Sequence, residues 1–159
     1  GRRVVIGGGG SDTITGDDGR SIVAGDEADL LLKPSEDDFI LSTFWSEGYE
    51  SNAAPITGGN DTITLGTGDA SVIGGMGDDA IIAGLGTTDP VGWIYTIIGD
   101  RGAITPTAGA SGDGPADSIL RKSILESRDQ MNFVGADTII TGAGYSRIIG
   151  GGGAEASRP

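Results

Sequence analysis

A chain of 159 residues with 31 glycines and only 5% aromatic side chains lacks the bulky residues of a conventional globular core, and it suits stacked aliphatic residues instead. Its net charge of −13 disfavours binding to nucleic acid or to anionic membranes and favours cations as partners. The absence of cysteine and histidine excludes disulfides, the Ser-His-Asp triad and most zinc sites, and no apolar run is long enough for membrane insertion.

The first predicted repeat block spans residues 1–32 and opens with a short apolar stretch followed by a glycine run. The glycines, Asp12 and Ile14 belong to one nine-residue unit, and a second unit follows in which Ser21 replaces the aspartate. The apolar stretch and the glycines also resemble a dinucleotide-binding loop, but Asp12 stands where that loop needs its third glycine. Residues 13–16 cannot open the helix that the loop requires, so a nucleotide site is not predicted.

The first insertion, residues 33–55, breaks the nine-residue period and is rich in aromatic side chains. The stretch from Phe39 to Trp45 has strand propensity. We therefore predict an excursion that contains one strand and is bounded by Pro34 and Pro55.

The second repeat block, residues 56–104, shows the period most clearly. One position recurs every nine residues and is followed two residues later by a β-branched side chain: Asp61, Ala70 and Asp79, then Ile63, Val72 and Ile81. A short strand and a tight glycine turn together use about nine residues, since glycine accepts the positive φ angles of such a turn. Two units would close a coil of about eighteen residues, and stacked coils would bury an aliphatic column. The predicted fold is all-β, a parallel β-roll or β-solenoid of glycine-rich nonapeptide repeats with two irregular insertions.

Asp61 and Asp79 are eighteen residues apart, so they would lie above one another on the same edge of successive coils. Stacked carboxylates repel each other unless a cation lies between them. Ca²⁺ suits this position best because it accepts about six to eight oxygen ligands in flexible geometry. The turn residues Gly59 and Gly77 are candidates to supply backbone oxygens. The alternative is that these aspartates only make hydrogen bonds within their own turns.

The second insertion, residues 105–134, contains a stretch at 118–131 that fits either a helix or a short strand. The third predicted repeat block, residues 135–159, is expected to be truncated, and it places Asp137 and Glu155 eighteen residues apart. This second acidic pair would extend the metal-binding edge.

Asp12 is a further metal candidate, although no acidic residue stands eighteen positions before or after it. The opposite edge of the coils is predicted to be largely free of metal, because none of the equivalent residues is acidic: Ser21, Ala70 and Ser146. Asp69 and Asp78 each precede an equivalent position and are predicted to face solvent.

A longer period lies above the nonapeptide. The segment from Asp61 to Ile63 returns 76 residues later as Asp137 to Ile139. The two dipeptides that precede the insertions, Gly25-Asp26 and Gly99-Asp100, are 74 residues apart. The insertions therefore occupy matching places in successive modules.

Residues 7–15 and 74–82 both match the pattern G-G-x-G-x-D-x-U-x. They resemble the calcium-binding nonapeptide of repeats-in-toxin (RTX) proteins, also called hemolysin-type repeats. The modular arrangement is similar to that of very large bacterial RTX surface and secreted proteins. This resemblance implies bound calcium, export by type I secretion and an extracellular or cell-surface location, and it implies no enzymatic activity.

The resemblance further implies a structural segment of a longer protein that acts as a rod, an adhesin stalk or a filament subunit. Its partners would be adjacent repeat modules of the same or of identical chains. One alternative is a non-catalytic tail of a type I-secreted toxin or of a polysaccharide- or protein-degrading enzyme. Another is an ice- or glycan-binding module, which would need a longer exposed series than Thr13, Thr62 and Thr138. Trp45 and Trp93 could contact a surface polysaccharide or simply cover the coils.

Overall fold

The computed structural model describes residues 2–34, 39–46, 58–84, 93–106, 123–127, 135–153 and 156–158. These ranges contain strands and turns, which confirms the all-β prediction, and they include no helix long and apolar enough to cross a membrane. The strands are β1 (Arg2–Ile6), β2 (Thr13–Gly16), β3 (Arg20–Ala24), β4 (Ala28–Pro34), β5 (Phe39–Ser46), β6 (Thr62–Leu65), β7 (Ala70–Ile73), β8 (Ala80–Ala83), β9 (Ile94–Ile98), β10 (Gly102–Pro106), β11 (Ser123–Ser127), β12 (Thr138–Thr141), β13 (Tyr145–Ile149) and β14 (Ala156–Arg158).

The strands of the repeat blocks alternate along the chain between two five-stranded sheets. The middle sheet has the order β1-β3-β7-β9-β13, and the outer sheet has the order β14-β12-β8-β6-β2. Neighbouring strands are parallel in both sheets. Each turn of a repeat therefore carries the chain from one sheet to the other. Ile63 and Ile81, eighteen residues apart, pair in register on adjacent strands.

The core between these two sheets consists of aliphatic side chains that stack from strand to strand. The outer sheet contributes one column of buried isoleucines, namely Ile14, Ile63, Ile81 and Ile139. The middle sheet contributes a facing column of fully buried side chains, namely Val23, Val72 and Ile97. β-branched residues dominate both columns because they pack well on a pleated surface.

Strands within and immediately before the predicted insertions form a third, antiparallel sheet with the order β11-β10-β5-β4, here called the insertion sheet. Ala28, Leu30 and Ile104 of this sheet share one apolar cluster with Ile73 and Ile98 of the middle sheet. The middle sheet is thus covered on both faces. For this reason every residue of β7 and β9 is buried, whereas β2 and β12 of the outer sheet alternate between exposed and buried residues.

The strand predicted in the first insertion is present as β5. In the ambiguous stretch at 118–131, the described residues Ser123–Ser127 form β11, as the strand interpretation requires. The insertion sheet begins at Ala28, before the predicted boundary at residue 33. The domain boundaries themselves remain predictions.

The side chains that point outward from the outer sheet include exposed threonines. Thr13, Thr62 and Thr138 are all exposed, and the first two pair directly on adjacent strands. Ala80 lies between Thr62 and Thr138 in register, so the threonine series is interrupted.

The two tryptophans were candidates to contact a ligand. Trp93 is partly buried and packs against the aliphatic core, as expected of a residue that covers the coils. The side chain of Trp45 lies outside the part of the chain that the structure describes.

Candidate metal centre

Four aspartates stack along the edge where the chain passes from the middle sheet to the outer sheet. Oδ1 of Asp61 accepts the N–H of Asp12 at 2.7 Å, and Oδ1 of Asp79 accepts the N–H of Asp61 at 2.8 Å. Oδ1 of Asp137 accepts the N–H of Asp79 at 2.9 Å. The last three aspartates are almost fully buried. We call this set the aspartate ladder: Asp12, Asp61, Asp79 and Asp137.

The second carboxylate oxygen of each ladder residue lies in a space bounded by glycine. A Cβ atom added to Gly74 would overlap both Oδ2 of Asp79 and the carbonyl oxygen of Gly99. The equivalent glycines of the other coils, Gly7, Gly25 and Gly99, would each overlap a ladder carboxylate and a carbonyl oxygen in the same way. Glycine is therefore required here because two oxygens approach its Cα closely.

Three of these carboxylate oxygens have acceptor oxygens around them but no hydrogen-bond donor within the described residues. Within the described residues, Oδ2 of Asp12, Asp61 and Asp79 is buried and has no hydrogen-bond partner. Burying an unpaired charged oxygen is costly. The neighbouring carbonyl oxygen of Gly99 accepts one N–H, from Gly75, and keeps a second lone pair. A bound cation would supply the missing positive partner.

The donor set of this edge fits a hard cation that accepts backbone oxygens. Among the described residues, no group of three or more acidic, histidine or cysteine side chains converges on one point. A cation would therefore combine one or two ladder carboxylates with carbonyl oxygens, a set that Ca²⁺ accepts. The carbonyl oxygens of Gly59 and Gly77 form a second stack, in which a Cβ at Gly77 would lie 2.6 Å from the oxygen of Gly59. Their role as ligands remains a prediction.

Asp61 contacts Asp79 as the eighteen-residue spacing predicts, but the other two contacts of the ladder join residues at larger separations. Asp12 contacts Asp61, 49 residues later, an acidic neighbour that the eighteen-residue spacing does not reveal. The first insertion leaves the coil between these two residues and lengthens their separation along the chain. Asp137 likewise contacts Asp79 across 58 residues. Its predicted partner, Glu155, lies outside the described residues.

Burial makes two of the ladder carboxyls, those of Asp61 and Asp79, hard to ionise. Burial raises the pKa of Asp79 to about 9; the N–H of Asp61 lowers it, and the charges of Asp137, Asp61 and Asp26 raise it. Burial also raises the pKa of Asp61, and it raises the pKa of Asp26 to about 7. The edge therefore favours a proton or a cation over bare carboxylates.

A second row of hydrogen bonds, which the nine-residue pattern does not predict, runs along the same edge. Ser11 Oγ accepts the N–H of Asn60 at 3.0 Å, and Asn60 Oδ1 accepts the N–H of Asp78 at 3.0 Å. Asp78, exposed as predicted, accepts the N–H of Ala136 at 2.7 Å. In this row the earlier coil supplies the acceptor, which is the reverse of the aspartate ladder. A polar residue just before each of the first three ladder aspartates is the sequence signal that indicates this row.

On the opposite edge Asp69 is buried, so the prediction that it faces solvent is wrong. Its Oδ1 accepts the N–H of Ile94 at 3.0 Å, and its Oδ2 lies 3.4 Å from Nη2 of Arg20. A guanidinium and a backbone donor satisfy this carboxylate, which allows it to be buried without a metal ion. The predicted scarcity of metal on this edge remains a prediction.

Comparison with protein families agrees with the repeat pattern. The model of the RTX calcium-binding nonapeptide repeat, in four copies, matches residues 4–31, 56–88 and 133–155, which together make up more than half of the chain. The chain belongs to the RTX calcium-binding nonapeptide repeat family. Calcium is accordingly the cofactor of these RTX repeats. No curated protein and no solved structure matched the chain.

The raised pKa of Asp79 predicts opposite effects of pH on the RTX repeats with and without calcium. The folded value of about 9 lies above the ordinary value of 3.8, so the metal-free folded state binds a proton that the unfolded state releases within this range. In chelator, the stability of the fold should therefore decrease as the pH rises between these values. In calcium, affinity should increase with pH because the metal must displace that proton.

Thermal unfolding at several pH values between 5 and 9, in chelator and in calcium, measures both trends; the range is set by the pKa of about 9. If the unfolding temperature changed with pH in the same way in chelator and in calcium, Asp79 could not belong to a site that either a proton or calcium occupies.

Proposed function

We propose that this chain is a calcium-stabilised structural segment of a large secreted or cell-surface protein, in which the two parallel sheets form a β-roll closed by calcium. One observation carries the proposal. Three successive ladder aspartates, Asp12, Asp61 and Asp79, each hold a buried Oδ2 that has no hydrogen-bond partner within the described residues. A cation at each of these oxygens would connect neighbouring coils.

Ladder carboxylates and glycine carbonyl oxygens would jointly coordinate the metal ion. Asp61 and Asp79, with the carbonyl oxygens of Gly74 and Gly99, are the ligands that we favour. Calcium supplies positive charge at oxygens that otherwise repel one another. Since these oxygens come from different coils, they are brought together only in the folded chain, and the free energy of calcium binding becomes free energy of folding.

This mechanism suits a chain that crosses membranes unfolded and folds outside the cell. Because cytosolic calcium is scarce, the repeats would remain unfolded during type I secretion and would fold outside the cell, where calcium is abundant. The product would be a rod, an adhesin stalk or a filament subunit whose partners are adjacent modules. The second candidate, a non-catalytic tail of a secreted toxin or enzyme, would use the same calcium-driven folding for secretion.

A force measurement tests whether calcium enables this segment to bear load. The chain is held by its two ends and extended in calcium, in magnesium and in chelator. A load-bearing segment should unfold at a higher force in calcium, because forced unfolding reports the unfolding rate and stacked coils would have to lose their metal to separate. Equal forces in all three solutions would contradict a load-bearing role that depends on calcium.

A further inference from the structure

Both insertions leave the acidic edge at the same point of the repeat, and an aspartate stands there in each case. In uninterrupted turns the second position of the nonapeptide is a glycine with positive φ: Gly8 at 104°, Gly75 at 122° and Gly151 at 124°. In the two interrupted turns that position is occupied by Asp26 and Asp100. Neither aspartate belongs to the aspartate ladder.

Asp26 joins the two ends of the first insertion and also reaches the next coil. Its Oδ1 accepts the N–H of Gly59 at 3.2 Å, 33 residues later, where the repeat resumes. Its Oδ2 accepts the N–H of Met76 at 2.6 Å, 50 residues later. The side chain is only 6% exposed. One carboxylate therefore spans the gap in its own turn and ties that turn to its neighbour.

Asp100 makes the same two bonds around the second insertion. Its Oδ1 accepts the N–H of Gly135 at 2.9 Å, and its Oδ2 accepts the N–H of Gly152 at 2.8 Å. Gly135 corresponds to Gly59 in the repeat, and Gly152 corresponds to Met76. The arrangement thus recurs around two insertions of unrelated sequence, which argues that the insertion-bearing turn requires it.

The glycine of the next coil is shaped to receive each of these carboxylates. A Cβ added to Gly75 would overlap the carboxylate of Asp26, and one added to Gly151 would overlap that of Asp100. Gly8, at the same position of the first turn, has nothing within 4 Å of such a Cβ. The close approach at Gly75 and Gly151 therefore comes from the aspartates and is not a general property of the turn.

We propose that Asp26 and Asp100 are clamps that close the roll across its two long insertions by hydrogen bonds instead of metal. In an uninterrupted nonapeptide turn the backbone itself connects the two ends of the turn. Where an insertion intervenes, each clamp connects them through two charge-assisted hydrogen bonds that its carboxylate accepts from N–H groups. It fixes where the insertion leaves and rejoins the edge, and so aligns the insertion sheet against the middle sheet. The inference goes beyond the proposed calcium-dependent function and does not depend on it.

Amide hydrogen exchange of the whole chain in saturating calcium tests the clamps. Asp26→Asn keeps the shape of the side chain but replaces one acceptor oxygen with an NH₂ group, so one backbone donor loses its partner. We expect exchange at Gly59 or Met76 to become at least about tenfold faster, the scale of one bond to a charged group. Exchange at Gly135 and Gly152 should not change. Asp100→Asn should give the converse pattern, so each variant is the control for the other.

A paired glycine substitution provides a second test that leaves the aspartates intact. Gly75→Ala and Gly8→Ala both place a side chain on a backbone with positive φ, so they share that strain. Only Gly75→Ala would displace a clamp, and only it should accelerate exchange at Met76.

Two results would overturn the proposal. Unchanged exchange in the asparagine variants would show that the carboxylates do not hold these N–H groups. Fewer bound calcium ions in Asp26→Asn, counted by titration calorimetry, would make Asp26 a metal ligand. A wild-type chain that binds no calcium but shows the expected exchange pattern would contradict only the proposed function.

Discussion

Withdrawal of calcium is expected to unfold most of the two parallel sheets at neutral pH. The ladder carboxylates are buried, and each coil adds another acidic side chain to the same edge. Without the metal, folding at neutral pH requires the buried Asp79 carboxyl to take up a proton, and a chain with a net charge of −13 also repels itself. Each site occupied at a hundred times its dissociation constant adds about 2.7 kcal/mol to the folded state. Loss of several such sites would exceed the modest stability of a small domain.

Circular dichroism during a calcium titration measures this result directly. The β signal should appear in the range of about 10⁻⁴ to 10⁻³ M that is typical of extracellular calcium modules. Magnesium is the control, because it requires a near-octahedral site and gives up its water reluctantly. A full β signal in chelator would show that the ladder aspartates act only as turn residues.

Replacing Asp79 by asparagine is expected to weaken calcium-dependent folding strongly. Asparagine can still accept the N–H of Asp61 through its carbonyl oxygen, but its NH₂ group would occupy the place of Oδ2 next to the carbonyl of Gly99. A neutral donor at that place repels a cation, and we expect an affinity loss of at least about tenfold. In chelator at neutral pH the variant should be at least as stable as the parent, because asparagine does not need the proton that the buried Asp79 carboxyl takes up on folding.

Asp78→Asn is the matched control for this substitution. It removes the same charge from the neighbouring residue, which is exposed and accepts the N–H of Ala136. Asparagine is already present at the equivalent position as Asn60, where it accepts the N–H of Asp78. Asp69 is less suitable because it is buried and paired with Arg20. Equal midpoints of the calcium titration in the two variants would contradict the assignment of Asp79 as a ligand.

The sequence by itself determined the unit of the fold and one of its acidic contacts. Glycine turns and β-branched residues at nine-residue spacing are local features, and they were sufficient to predict strands, a stacked aliphatic core and an acidic edge. The stacking of Asp61 on Asp79 followed from the same spacing, because no insertion separates these two residues.

Only the tertiary structure decided which coils become neighbours across the insertions. The contact of Asp12 with Asp61 spans 49 residues, and that of Asp79 with Asp137 spans 58. The nine-residue period does not predict these separations, because the insertions between the paired residues do not follow it. The clamps at Asp26 and Asp100 depend on the same long-range closure. Burial of Asp69 was also decided in three dimensions, since its partner Arg20 belongs to an earlier coil. Local chemistry thus fixed the repeat, whereas the energy gained by stacking coils fixed the partners.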